Sequence, residues 1–183
     1  NFRWYYLFNL FYFNIKLPLA GLNIAITRAE EQSSETSILF QNNGARVYDM
    51  PALIIVPPDD LSLLDNELTN INDFDWIFFS SANGVKSVVN RLRIKHQSIF
   101  DVLKSVKIAV VGKKTEQCLR ELNVEPDFCP SNYVAESLIN EFPYPFEGLK
   151  IFLPRVQSGG RAYLFDKLTG EGANVLQVPS YES

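Results

Sequence analysis

From Gly21 onward, short apolar runs alternate with segments whose apolar residues recur at helical spacing. LNIAIT (22–27) is apolar and β-branched, the pattern of a buried strand. Residues 29–43 set Ile38 and Leu39 among polar neighbours, which predicts a helix stopped at Asn43-Gly44. ARVYDM (45–50) predicts a second strand, and the proline-bounded PALIIVPP (51–58) a crossing segment or edge strand. A long polar spacer, 59–74, precedes a second set of elements. DWIFFS (75–80) predicts a strand, SANGVKSVVNRLR a helix opening on Ser81, and VKIAVVG (106–112) another strand. KTEQCLREL follows as a helix halted by Asn123, then PDFCP (126–130) as a short strand and VAESLINEF (134–142) as a helix. LKIFLP (149–154), a helix around RAYLFDKLTGEG, and ANVLQVPSY (173–181) complete the set.

These strands are apolar on both faces and alternate with helices. The fold class is therefore α/β, with parallel sheets flanked by helices in a doubly wound arrangement. The proline-flanked segment and the polar spacer point to more than one sheet. A weak internal echo supports this. ITRAEEQSSETSILFQNNGARVYDMP and FLPRVQSGGRAYLFDKLTGEGANVLQVP share the order strand, arginine loop, helix, Gly-Ala, strand, proline, and place Arg28 and Arg155 at equivalent strand ends.

The N-terminal stretch does not fit this scheme. Eight aromatic residues fall between positions 2 and 13, and there is no initiating Met. The run lacks a signal-peptide cleavage site and is shorter than the ~20 residues that span a bilayer. It is expected to be a translated upstream stretch foreign to the fold, with an interfacial anchor or an organellar leader as the other readings. Composition changes the picture little. A formal charge of -4 without a Lys/Arg cluster argues against nucleic acid. Cys118 and Cys129 without CxxC spacing, and His96 as the only histidine, argue against a zinc or iron–sulfur site and for a reducing compartment.

In open α/β sheets, ligands bind beyond the carboxyl ends of the strands. That places candidate chemistry at Thr27-Arg28, Ser80 to Gly84, Gly112 to Thr115, Asn132 to Glu136, and Pro154-Arg155. Three of these loops run straight into helices, so free amides and positive dipole ends should face one rim suited to carboxylates or phosphates. Ser81 and Thr115 also read as plain helix caps. Gly112-Lys113-Lys114-Thr115 lacks the upstream glycine of a phosphate loop, position 107 being Lys107. His96 reads as solvated surface, the cysteines as packing residues, and Tyr181 as interdomain packing. The residues alone thus lead to an α/β protein with an anion-binding rim.

ITRAEE, GARVYDMPALIIVPP, FSSANGV, the VG..T block ending at Thr115, PDFCPSNYVAESL, GLKIFLPR and GANVLQVPSYES occur in the order seen in uroporphyrinogen-III synthases. The chain resembles that family over about residues 21–183. The resemblance implies two domains joined by a two-stranded ladder, with the active site in the cleft between them and only the second domain complete here. It divides the chain into a leader (1–20), the N-terminal half of the first domain (21–52), the second domain (53–178), and the start of a return crossing (179–183). The chain then reads as truncated, so the 183 residues alone are expected to be poorly active and prone to aggregate.

The implied reaction takes hydroxymethylbilane to uroporphyrinogen III and water, without a cofactor or metal. Loss of the terminal hydroxyl gives an azafulvene cation. Ring D attacks through its substituted carbon, and the spiro intermediate fragments and recloses with ring D inverted. The bilane closes unaided to the unrearranged isomer, so the protein's task is to hold the carboxylates in the rearranging geometry. By the same resemblance Ser81, Ala82, Asn83, Thr115, Val134 and Ala135 present amides and side chains to substrate. Thr27, Arg28 and Arg155 are further substrate contacts, and Tyr181 assists departure of the hydroxyl. The resemblance also implies transient handover from porphobilinogen deaminase, a monomer when complete, no membrane span, and a cytoplasmic or plastid-stromal location. A non-catalytic polycarboxylate-binding module on the same fold is the alternative; a flavodoxin-like nucleotide enzyme is disfavoured by the missing phosphate loop.

Overall fold

The computed structural model describes residues 17–27, 30–52, 54–159 and 162–183. The aromatic stretch of 1–16 and the candidate Arg28 lie outside the described residues. The chain divides into two compact units that part between Ile54 and Ile55.

The first unit is a β–α–β element. Strand β1 (Asn23–Ile26) and strand β2 (Arg46–Asp49) pair in parallel, joined by helix α1 (Glu30–Asn42). Gly44 stops the helix with φ +95°, a conformation that side chains disfavour. Space forbids one as well, because a Cβ there would meet that of Leu17 at 2.7 Å. Buried Ser37 on α1 donates to Asp49 Oδ1 on β2 at 2.7 Å, tying helix to strand.

The second unit is a four-stranded, all-parallel sheet in the order β4-β3-β5-β6. Its strands are β3 (Trp76–Phe79), β4 (Lys107–Val110), β5 (Lys150–Val156) and β6 (Asn174–Tyr181). All four residues of β3 are buried, as its uninterrupted apolar sequence requires of a central strand covered on both sides. The period-2 alternation sorts them. Ile77 and Phe79 join one core cluster with Leu64, Leu68, Val85, Leu92 and Leu119. Trp76 and Phe78 join the other with Leu138, Phe142, Leu164 and Leu168. Helices α2 (Ser62–Thr69), α3 (Ala82–Ile94), α4 (Ile99–Lys104) and α5 (Lys113–Arg120) supply the first cluster. Helices α6 (Ala135–Glu141) and α7 (Tyr163–Gly170) supply the second. The sheet is doubly wound, and the chain reverses direction across it between β3 and β5.

Three local expectations are corrected. The polar spacer 59–74 contains α2 and a 3-10 turn (Ile71–Asp73), because Leu64, Leu68 and Ile71 form a one-sided apolar stripe. Helix α4 is an addition to the predicted order; Leu103 anchors it and Ser98 caps it by accepting from Asp101 N. PDFCP forms only a bridge, Ala109 to Phe128, since prolines at both ends confine its pairing. PALIIVPP, expected as a crossing segment or edge strand, makes an antiparallel bridge among its described residues, between Val56 and Glu182.

Candidate functional site

The reversal between β3 and β5 opens a crevice at the carboxyl ends of the strands, where doubly wound sheets bind their ligands. A cavity of about 540 Å³ lies there. Ser80 after β3, Val111 after β4, Arg155 and Val156 on β5, and Tyr181 ending β6 form its floor. Tyr133, Val134, Ala135 and Glu136 around the start of α6 form one wall, and Tyr163 and Leu164 of α7 another. The polar groups are thus one guanidinium, three phenols, a serine and one carboxylate.

Three of them, Arg155, Tyr133 and Tyr181, are fixed by hydrogen bonds to neighbours. Arg155 lies within β5 rather than beyond its end, since β5 runs on to Val156 past Pro154. Its Nη1 donates to Gln177 on β6, and its Nη2 to Gly159 O at 2.7 Å. Among the described residues these take two of its five N–H groups, and the guanidinium is a planar fork suited to an anion. Tyr133 donates to Glu116 Oε2 on α5 at 2.7 Å, and Arg120 Nε donates to Glu116 Oε1 at 2.9 Å. Those bonds, the Tyr133 hydroxyl first and Arg120 next, hold the Glu116 carboxyl below its usual range. The reciprocal effect raises the Tyr133 phenol above its ordinary value. The 131–134 loop is thereby tied to α5 by a charged acceptor.

Tyr181 is held at both ends. Gln157 N donates to its carbonyl at 2.7 Å, and the next residue, Glu182, exchanges two backbone bonds with Val56. Its hydroxyl lies 3.1 Å from Ser81 Oγ, which also accepts from Gly84 N at 3.1 Å as the cap of α3. Gly84 is buried beside the Pro154 carbonyl, so the start of α3 packs against β5.

The other helices at this rim begin without a side-chain cap, on Gly112 for α5, Val134 for α6 and Ala162 for α7. Their first-turn amides therefore keep donor capacity toward the rim. Among the described residues, no group of three or more His, Cys, Asp or Glu side chains could hold a metal ion, and no helix is long and apolar enough to cross a membrane.

Of the residues singled out in the sequence, Val134, Ala135, Arg155 and Tyr181 come together in the cavity wall, with Ser81 bonded to Tyr181 behind it. Ala82 and Asn83 are half-buried in the first turn of α3 and do not line the cavity, where Ser80 stands instead. Thr115 is 2% exposed, with Oγ1 turned back against Gly112. Thr27 lies in the first unit, just past β1, its carbonyl accepting from Ala52 N at 3.0 Å. Sequence reasoning missed Val111, Val156, Tyr163 and Leu164. Tyr163 could have been found, since it opens the helix that follows β5 and so belongs to the same rim.

Residues 34–183 match the family model described as Uroporphyrinogen-III synthase HemD. A uroporphyrinogen-III synthase of Synechococcus elongatus is 42% identical over 166 residues, covering 91% of this chain and 62% of that protein. The porphyrin biosynthesis protein HemD of Ruminiclostridium josui is 31% identical over 116 residues, 63% of this chain and 23% of its own length. The chain thus spans less than two thirds of either relative. A crystal structure of a mutant uroporphyrinogen III synthase from the extremely thermophilic bacterium Thermus thermophilus matches with a TM-score of 0.65 at 15% identity, over 88% of this chain and 62% of that one. At that identity the likeness concerns the fold.

Proposed function

The chain belongs to the uroporphyrinogen-III synthase family, and from that premise we propose that its cavity serves the closure of hydroxymethylbilane to uroporphyrinogen III with loss of water. The observation that carries this reading is the cavity's donor set, in which Arg155, Tyr163 and Tyr181 outnumber a single carboxylate, Glu136, the Tyr133 proton being committed to Glu116. A polycarboxylate is met by such a rim without a strong acid or base. The guanidinium takes a carboxylate side-on, and the uncapped start of α6 from Ala135 onward adds amide donors.

In this reading the terminal hydroxyl, hydrogen-bonded by Tyr181, takes a proton from solvent and leaves as water as its C–O bond breaks, and that proton is returned when ring D loses its α-proton on final reclosure. The cationic pyrrole so formed is attacked by the substituted carbon of ring D. The spiro intermediate then reopens and recloses with ring D reversed. The residues act by holding the acetate and propionate arms so that this geometry precedes the unassisted closure. Hydroxymethylbilane reaches the site by transient handover from porphobilinogen deaminase, and the protein works as a monomer in the cytoplasm or a plastid stroma.

The test couples porphobilinogen deaminase and porphobilinogen to the product of the full reading frame that encodes this chain, then oxidises and separates the porphyrin isomers. Isomer III in excess of isomer I is the expected result. Isomer I alone, with the Synechococcus relative active in parallel, would remove the enzymatic reading and leave a polycarboxylate-binding module.

A further inference from the structure

Ser81 meets two groups at once: the Gly84 amide and the Tyr181 hydroxyl, each at 3.1 Å. A serine hydroxyl has one hydrogen and two lone pairs. The Gly84 amide has no choice but to donate, so it occupies one lone pair and fixes the Ser81 oxygen in the first turn of α3. Among the described residues, Tyr181 Oη is the partner recorded for the remaining side of that hydroxyl. Two directions are then open, Ser81 to Tyr181 or the reverse.

The helix decides between them. If Tyr181 donated, its proton would point toward the N-terminus of a 13-residue helix, against the positive end of its macrodipole. If Ser81 donates, its proton points away from that end. The amide donated to Ser81 also polarises its O–H and strengthens the outgoing bond.

We propose that Ser81 is a positioning residue for Tyr181: capped by Gly84, it donates to the tyrosine oxygen and so frees the Tyr181 proton for the cavity. The order of donation runs from Gly84 N–H through Ser81 and Tyr181 to the ligand. This rests on the reading that Tyr181 donates to the departing hydroxyl. It also changes what Ser81 does, because its hydroxyl serves the tyrosine and leaves substrate contact to Tyr181. Tyr181 can hold this geometry because its backbone is bonded to Gln157 and its neighbour Glu182 to Val56.

Ser81→Asp separates cap from relay. Aspartate is as good an N-cap as serine, but an ionised carboxylate can only accept, so Tyr181 must turn its proton inward. The experiment uses the full reading frame's product and reads two signals. The first is the Raman tyrosine doublet of Tyr181, isolated by subtracting the Tyr181→Phe spectrum and sensitive to whether a phenol donates or accepts. We expect an accepting signature in the unliganded wild type and a donating one in Ser81→Asp, obtained by subtracting Ser81→Asp/Tyr181→Phe.

The second signal is kcat/KM for isomer III. Ser81→Asp should lower it on the order of ten-fold, about as far as Tyr181→Phe, and the double variant should lose no more. A wild-type Tyr181 that donates to Ser81 overturns the proposal, and that spectrum needs no Ser81 variant to fold. Equally, an active wild type whose rate is untouched by Ser81→Asp overturns it. A wild type that makes no isomer III sinks the synthase reading instead, while the spectra still decide the direction of the bond.

Discussion

Asp65 on α2 accepts from Arg91 Nε and, at 2.5 Å, from Arg91 Nη2, and pairs with Lys95 Nζ at 2.7 Å. These contacts lower its carboxyl to about 2, the Arg91 hydrogen bonds first and Lys95 after. Relative to an ordinary value of 3.8, that depression corresponds to about 2 kcal/mol at most, at 1.36 kcal/mol per unit. The Arg91 and Asp65 side chains keep 18% and 21% of their surface, so solvent screening reduces the figure to about 1–2 kcal/mol. Asp65→Asn should therefore lower the urea midpoint of the second unit by about 0.5–1 M. In a Trp4→Phe background Trp76, 3% exposed, is the only indole and reports that unit.

The pH dependence carries the decisive sign. Because the native carboxyl is depressed, the unfolded chain binds the proton more readily. The Asp65 contribution is full above about pH 5 and disappears as pH falls toward 2. The difference between wild type and Asp65→Asn should shrink over that window. A difference that stays constant from about pH 7 to about pH 2.5 would mean that Asp65 acts through packing rather than through its charge, and the ion-pair reasoning would be wrong.

Three further outcomes follow from burial and hydrogen bonding elsewhere in the second unit. Leu68→Ala removes a side chain 2% exposed in the helix hidden within the polar spacer, and should cost about 2–5 kcal/mol in the same unfolding assay. Burial pushes the Cys129 thiol up to about 11, against 9.0 for a free one. Peptide mapping after iodoacetamide at about pH 8 should therefore show it alkylated about 100-fold more slowly than glutathione in the same tube, the gap narrowing as pH rises through about 9 to 11. Tyr133→Phe removes the bond to Glu116, so amide hydrogen exchange over 131–136 should speed up while that of β3 stays unchanged; equal protection in both proteins would deny the tether.

The parts of this fold that were legible share one property: length of signal. Trp76–Phe79 reads as a central strand because no polar residue interrupts it, and Ala82–Ile94 reads as a helix because Val85, Val88, Val89 and Leu92 repeat along one face. Helix α2 has eight residues and only Leu64 and Leu68 buried, which acidic and polar neighbours mask; α4 has six residues and one buried side chain. For the site, the rule about carboxyl ends of strands located the rim, but not which side chains face into it. A helix turns about 100° per residue, so a one-residue difference at its start decides between Thr115, packed inward, and an open position. Arg155 reached the cavity from within β5 because the strand continues past Pro154, where the apolar run LKIFLP ends. Nothing local marks the Ser81–Tyr181 pair, since its members are 100 residues apart and meet only once the sheet is assembled.

The central claim is that the cavity floored by Arg155 and Tyr181 steers the ring closure. Its most direct test is the isomer ratio formed from deaminase-generated hydroxymethylbilane by the full reading frame's product, wild type against Arg155→Met. Removing a charge-assisted donor pair from the substrate should lower kcat/KM for isomer III by about 10–100-fold, and the porphyrin recovered should shift to isomer I. An Arg155→Met protein that still delivers isomer III at the wild-type share would place the steering somewhere other than this cavity.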